Sequence, residues 1–108
     1  MSEKIKLVQG DTLPQVKVTI TDDTTGLPVD ITGATPRLKF RAVGDDTLLF
    51  TLTGVVLNGP SGTAVFDWGP TSLNIDEGDY EGEVEVLFSG GGIQTVYEPL
   101  KFKVRADF

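Results

Sequence analysis

The stretch that decides the fold is residues 76–88, which read DEGDYEGEVEVLF. From Tyr80 onward, apolar residues alternate with glutamates, and a period of two residues puts alternate side chains on opposite faces of a β-strand. Before Tyr80 stands an acidic turn containing Gly78, a residue that adopts backbone angles closed to other residues. The stretch therefore predicts a long strand, apolar on one face and acidic on the other, that begins at a sharp turn.

The same alternation recurs along the rest of the chain and predicts about seven strands. The core-facing residues of the other six are Ile5 and Leu7; Val16, Val18 and Ile20; Leu38, Phe40 and Ala42; Leu48, Phe50 and Leu52; Ala64, Phe66 and Trp68; and Leu100, Phe102 and Val104. Turns rich in Gly, Asp and Pro separate them, and Ser89-Gly90-Gly91-Gly92 indicates a β-hairpin. Without a long helical pattern, residues 1–108 predict a single all-β domain, an antiparallel β-sandwich.

The spacing Asp76-x-Gly78-x-Tyr80 resembles the tyrosine corner of immunoglobulin-type domains, in which the tyrosine hydroxyl bonds back to the backbone just upstream. This resemblance predicts an immunoglobulin-like sandwich with Asp76, Gly78 and Tyr80 as its structural corner. The antibody core itself is missing, because Gly82 stands at the cysteine position and residues 37–42 contain no tryptophan. The alternative is a generic turn before a strand.

The charges of two predicted strands agree with this topology. The third and sixth strands are neighbours in an immunoglobulin-like fold, and opposite charges that face each other across a strand pair are favourable. The outward residues are Arg37, Lys39 and Arg41 on the third strand and Glu81, Glu83 and Glu85 on the sixth. We expect these two rows to form a ladder of ion pairs.

Composition excludes several classes of function. The sequence has no cysteine and no histidine, which removes disulfides, thiolate zinc sites and Ser-His or Cys-His nucleophile pairs. A net charge of −7 disfavours nucleic acid, and no apolar run approaches the roughly 20 residues of a membrane helix. The first residues lack the apolar core of a signal peptide. We expect a soluble protein made in the cytoplasm, with neither nucleic acid nor membrane as a partner, and not an enzyme.

Acidic clusters offer two alternative kinds of site. The groups Asp22-Asp23, Asp45-Asp46 and Asp76-Glu77 with Asp79 carry the hard oxygen ligands that Ca²⁺ prefers. None matches the twelve-residue calcium loop, and aspartate is common in turns, so we expect no metal and no cofactor. Glu83 and Glu85 could serve as a pair of glycosidase carboxylates only in a cleft that desolvates one of them.

A second resemblance is carried by further motifs and covers nearly the whole chain. They are Gln9-Gly10-Asp11-Thr12 followed by Pro14, the run of residues 26–34 with Pro28, the pair Phe66-x-Trp68, and Gly78-Asp79-Tyr80 before an acidic strand. Together they resemble the N-terminal domain of phage baseplate upper proteins. The resemblance implies a non-enzymatic structural component of a tailed-phage virion, made in the host cytoplasm and located in the tail, baseplate or fibre attachment.

The implied partners are other virion proteins, bound by protein–protein contacts in a symmetric assembly of multiple copies. One alternative is a head or collar decoration protein. Another is a carbohydrate-binding module that contacts the host surface, with Trp68, Tyr80 and Tyr97 as stacking residues. The first alternative differs from the main expectation only in the neighbouring proteins, whereas the second requires exposed aromatic side chains.

Sheet edges are the expected points of contact, because a partner strand can complete their unpaired backbone groups. The edge candidates are residues 4–8 and the last strand, which Pro99 interrupts. Phe108 either anchors a partner or folds back over the end of the sandwich. The candidate partner contacts are Ile5, Leu7, Arg105 and Phe108.

Overall fold

The alternating segments form β-strands throughout the computed structural model, which describes residues 4–96 and 98–108. Within these residues there is no helix. The nine strands are β1 (Lys4–Val8), β2 (Val16–Thr19), β3 (Thr35–Ala42), β4 (Phe50–Thr53), β5 (Val55–Asn58), β6 (Thr63–Phe66), β7 (Gly78–Leu87), β8 (Ile93–Thr95) and β9 (Leu100–Arg105).

The strands form two sheets whose apolar faces pack on each other. The large sheet has the order β1-β9-β7-β3-β4, and β8 pairs with the part of β7 that β9 leaves free. The small sheet has the order β2-β6-β5. The large sheet contains β3, β7 and β9, which correspond to the third, sixth and last strands that share one sheet in an immunoglobulin-like sandwich. The predicted all-β, immunoglobulin-like sandwich is confirmed. The turn at residues 89–92 does form a hairpin, but its second strand is β8 and not the predicted last strand.

The edges of the large sheet differ from the prediction in one respect. β1 is an edge strand, as expected, but β9 lies between β1 and β7 and is therefore internal. Pro99 precedes β9 and so removes no donor from its ladder. The pairing of β1 with β9 is parallel, so the sheet is mixed and not wholly antiparallel.

Two short strands were not predicted, and one predicted boundary was wrong. β5 reads VVLN and β8 has three residues, so neither shows a clear alternation. Leu48, predicted to face the core, precedes β4 and is 46% exposed. Phe50 pairs with Phe40 and begins β4, which leaves Leu48 in the loop after the Asp45 turn.

Aromatic rings fill the centre of the sandwich around Phe40, on the strand where antibody domains carry their tryptophan. The Phe40 ring stacks on Phe50 and Tyr80, with centroids 4.8 and 5.2 Å away, and meets Trp68 edge-on at 5.5 Å. Gly82 lies opposite Phe40 in β7. A Cβ atom there would lie 2.7 Å from the Leu38 side chain, so this core uses glycine where antibody domains place a cysteine.

Candidate functional site

The corner residues lie together at the start of β7. The Tyr80 hydroxyl donates a 2.6 Å hydrogen bond to the carbonyl oxygen of Asp76, as a tyrosine corner requires. Gly78 has a φ of +151°, a conformation that L-residues rarely adopt. Burial, and secondly the negative charge of Asp76, raises the pKa of Tyr80. The hydroxyl is thus engaged in structure, and it holds the 67–77 loop against the sheet.

The predicted charge ladder forms across β3 and β7, with Arg37 opposite Glu85, Lys39 opposite Glu83 and Arg41 opposite Glu81. Each cation pairs with the acid opposite it, except that Lys39 pairs diagonally with Glu85. Arg37 donates to Glu85, whose second oxygen accepts from Lys39 at 3.0 Å. Arg41 donates to Glu81 at 2.8 Å.

Glu85 is the most enclosed acid of this face, at 7% exposed. The hydrogen bond from Arg37, followed by the one from Lys39, holds the pKa of the Glu85 carboxyl below its usual range. Burial acts in the opposite direction and is outweighed. Glu85 is therefore ionised at neutral pH and joins two cationic side chains into one fixed group.

A second set of ion pairs connects β7 with β9 and β1. Asp79 accepts a 3.0 Å hydrogen bond from Lys4 and lies 3.6 Å from the Lys103 ammonium. The bond from Lys4, which outweighs desolvation, lowers the pKa of Asp79. Lys101 lies 4.0 Å from Glu81. The two pairs of Asp79 are exposed, so they orient the outer face and add little stability.

The distribution of charge over the molecule is strongly uneven. The outer face of the large sheet bears four acids, all on β7, and eight of the nine basic residues. The basic residues are Lys4, Lys6, Arg37, Lys39, Arg41, Lys101, Lys103 and Arg105. Eight cations less four acids leave this face at +4, so the rest of the sequence carries −11 of the total of −7. The net charge therefore conceals a positive face.

A shallow groove of about 180 Å³ lies on this face at its β1 edge. Lys6 and Val8 line it from β1, and Lys103 and Arg105 line it from the paired positions on β9. We call Lys6, Lys103 and Arg105 the cationic strip. Among the described residues, neither Lys6 nor Arg105 forms an ion pair, and both are exposed. The Arg105 guanidinium also donates a 2.8 Å hydrogen bond to the Ala106 carbonyl oxygen.

The four predicted partner contacts divide into two pairs. Leu7 is a core residue at 2% exposed and Ile5 is half-buried against the core, so the prediction of Leu7 as a contact side chain is corrected. Alternation turns both inward and leaves the lysines of β1 outward. Arg105 and Phe108 are exposed, and the guanidinium lies 4.9 Å from the centroid of the Phe108 ring. Phe108 does not fold back over the sandwich.

The acidic clusters lie in exposed turns and bond to their own backbone. Asp22 accepts hydrogen bonds from the amides of Thr24 and Thr25, and Asp45 accepts one from Thr47. Such bonds explain why aspartate occupies these turns. Within residues 4–96 and 98–108, no group of three or more acids is arranged to hold a metal ion.

The aromatic residues considered for carbohydrate binding are mostly enclosed. Trp68 is 5% exposed and its indole N–H donates a 2.8 Å hydrogen bond to the Pro14 carbonyl oxygen. Tyr80 is 6% exposed. Tyr97 lies outside the described residues. Neither Trp68 nor Tyr80 therefore offers a ring face to a sugar.

Comparison with known proteins adds no relative: no protein-family model matches the chain, and no curated protein matches it at a significant level. No helix in the described part of the chain is long and apolar enough to cross a membrane. The functional interpretation therefore depends on the surface described above.

Lys6 and Lys103 are functional candidates that the sequence reasoning missed. Their outward direction follows from the alternation in KIKLV and LKFKVR. Their proximity does not, because it depends on the parallel pairing that places Lys6 beside Lys103. The two strands lie at opposite ends of the sequence, so no local pattern connects them.

Proposed function

We propose that this protein is a non-enzymatic structural component of a tailed-phage virion, where it acts through protein–protein contacts in the tail, baseplate or fibre attachment. The observation that carries the proposal is an open sheet edge beside a cationic face on an immunoglobulin-like sandwich. Edges and ordered charged faces are surfaces by which such domains bind other proteins. The motifs that resemble baseplate upper proteins supply the virion context.

Two features of the acids argue against catalysis. Glu83 and Glu85 lie on the outer face of a sheet, and neither lines the groove beside β1. A glycosidase acid also needs a raised pKa, whereas the cations beside Glu85 lower it. The sequence has no histidine or cysteine to provide another nucleophile or base.

The carbohydrate-binding alternative is less well supported than protein–protein contact. Sugar binding by stacking needs exposed ring faces, and Trp68 and Tyr80 are enclosed in the core. The charged side chains of the large sheet, in contrast, are held in register by the ion pairs of Glu81 and Glu85. Such a pattern suits a protein surface of complementary charge.

Mass spectrometry of purified particles tests the proposal. We expect peptides of this chain in gradient-purified virions at a level of several copies per particle, with a non-virion protein of the same lysate as the depletion control. Cross-links to tail or fibre proteins would support the proposed location, whereas cross-links to capsid proteins would favour a head or collar protein. Absence of the chain from the particles would overturn the proposal.

A further inference from the structure

One end of the sandwich is acidic, whereas the β1–β9 edge is basic. β1 and β9 end there, at Val8 and Arg105, which pair with each other, and Val104 of β9 pairs with Gly78 at the start of β7. β3 also ends there, because Ala42 pairs with Tyr80. The loops 9–15, 43–49 and 67–77 and residues 106–108 therefore share this end.

We call these segments the acidic end. They contain no lysine or arginine. All of their acids are exposed: Asp11, Asp45, Asp46, Asp67, Asp76, Glu77 and Asp107. The loops also support each other, because the Gly10 amide donates to the Leu73 carbonyl oxygen and the Gln9 side chain donates to that of Ile75. These bonds join the 9–15 and 67–77 loops, and all four segments carry charge of one sign.

We infer that copies of this chain bind each other by placing the acidic end of one copy against the cationic strip of the next. This inference deepens the multi-copy arrangement proposed above and rests on that part of it. The partner is a second copy because the chain itself carries both complementary surfaces. Lys6 and Arg105, which are exposed beside the groove, are the charges that the acidic end of a neighbour would neutralise.

The sign of the charges also limits the symmetry of the contact. A strip-to-strip or end-to-end contact would oppose like charges, so neither can join two copies. The strip adjoins the acidic end of the same copy, because β1 and β9 end there at Val8 and Arg105. A two-fold dimer can therefore place each strip against the other copy's acidic end, whereas a single contact per pair is heterologous and builds a ring or a row of copies.

Sedimentation velocity at two salt concentrations tests the attraction. We expect self-association at about 0.01 M salt, where the screening length is ~30 Å, and its loss at about 1 M, where the length is ~3 Å. Association that is equal at both concentrations would overturn the inference. A protein that stays monomeric at low salt would do so as well.

Substitution of a matched pair of lysines distinguishes an effect of the cationic strip from an effect of the net charge. Lys6 and Lys17 are both exposed strand residues, but Lys17 lies on β2 of the small sheet and is the one basic residue outside the positive face. We expect Lys6→Glu to weaken association on the order of tenfold, because it replaces attraction by repulsion. Lys17→Glu changes the net charge equally and should have little effect. Equal weakening by both variants would contradict the inference.

A pair of aspartates tests the acidic end in the same way. Asp46 lies in the acidic end, and Asp23 occupies an exposed turn after β2, at the opposite end of the sandwich. Their neighbours Asp45 and Asp22 accept the backbone bonds of the two turns, so both turns keep these bonds in the variants. We expect Asp46→Lys to weaken association and Asp23→Lys to have little effect.

Mixing two variants tests the pairing of the cationic strip with the acidic end. Lys6→Glu keeps an intact acidic end and Asp46→Lys keeps an intact strip, so one wild-type contact is possible only between the two. We expect each variant alone to sediment mainly as a monomer and an equal mixture to give 1:1 dimers. A mixture that does not associate would overturn the inference. A wild-type protein that stays monomeric and binds polyglutamate or duplex DNA would also overturn it, because the strip would then serve a partner other than a second copy. Neither result would affect the detection of the chain in virions.

Discussion

The hydroxyl of Tyr80 donates to the carbonyl oxygen of Asp76 across a distance of 2.6 Å. The bond closes the turn of residues 76–80, in which Gly78 adopts a φ of +151°, and the ring of Tyr80 stacks on Phe40 at 5.2 Å. One side chain therefore connects the loop at the acidic end to the aromatic core. Its contribution to stability can be measured by removing the hydroxyl alone.

We expect Tyr80→Phe to lower the free energy of unfolding by about 1–2 kcal/mol, because a buried hydrogen bond is lost while the ring remains. Urea denaturation followed by tryptophan fluorescence gives the change, since Trp68 reports on the same core. An unchanged midpoint would mean that the hydroxyl bond contributes nothing to the corner.

Alkaline pH should act through the same hydroxyl. Burial raises the pKa of Tyr80 in the folded protein, so the unfolded chain releases this proton first as pH rises. The contribution to stability is complete below the ordinary tyrosine pKa of about 10 and declines as pH rises through the raised value. We expect wild type and Tyr80→Phe to converge in stability above this range. Parallel pH profiles would refute the assignment.

Acid should weaken the ion pairs around Glu85. Because Arg37 and Lys39 lower the pKa of Glu85, its contribution is present above the ordinary glutamate pKa and is lost as pH falls through the lowered value. We expect Glu85→Gln to cost about 1 kcal/mol at neutral pH and to reduce the acid dependence of stability. Glu83→Gln is the matched control, since Glu83 is exposed on the same strand face and forms no ion pair with the described residues. Equal effects of the two variants would contradict this prediction.

Alanine variants at two glycines with nearly equal φ distinguish the stability cost of backbone strain from that of close packing. Gly26 has a φ of +72° and open space around its Cα, whereas Gly62 has a φ of +70° and lies against the Ile20 and Val29 carbonyl oxygens. A Cβ atom at Gly62 would come within 2.6 Å of the former. We expect Gly26→Ala to cost roughly 1–2 kcal/mol and Gly62→Ala clearly more. Thermal unfolding of both variants gives the difference, and similar midpoints would show that the backbone relaxes.

The central position of Phe40 predicts a large effect of truncation. Phe40 is fully buried against four aromatic rings, so Phe40→Ala should lower stability by about 3–5 kcal/mol. Phe108→Ala removes the same side chain from an exposed position and should change stability by less than about 0.5 kcal/mol. Calorimetry of both variants checks this. A large loss in Phe108→Ala would mean that the ring is packed in solution.

Much of the fold could be predicted because its signals are local. Alternation places each core residue of β3 and β7 on the correct face, and the Asp-x-Gly-x-Tyr spacing indicates the corner before Tyr80. β5 was missed because VVLN does not alternate, and β8 because three residues offer too few alternations to be distinguished from a loop. Leu48 was misplaced because it continues the alternation of Phe50 and Leu52, although β4 begins only at Phe50.

The sequence by itself determined which residues face inward, where the chain turns and that two rows of opposite charge would meet on β3 and β7. Only the tertiary structure decided that β9 is internal and that β1 runs parallel to it, since strand pairing between residues about a hundred positions apart leaves no local trace. That pairing gathers eight of the nine basic residues onto one face of an acidic protein. A net charge sums over the whole chain, whereas a partner meets only the face that folding presents.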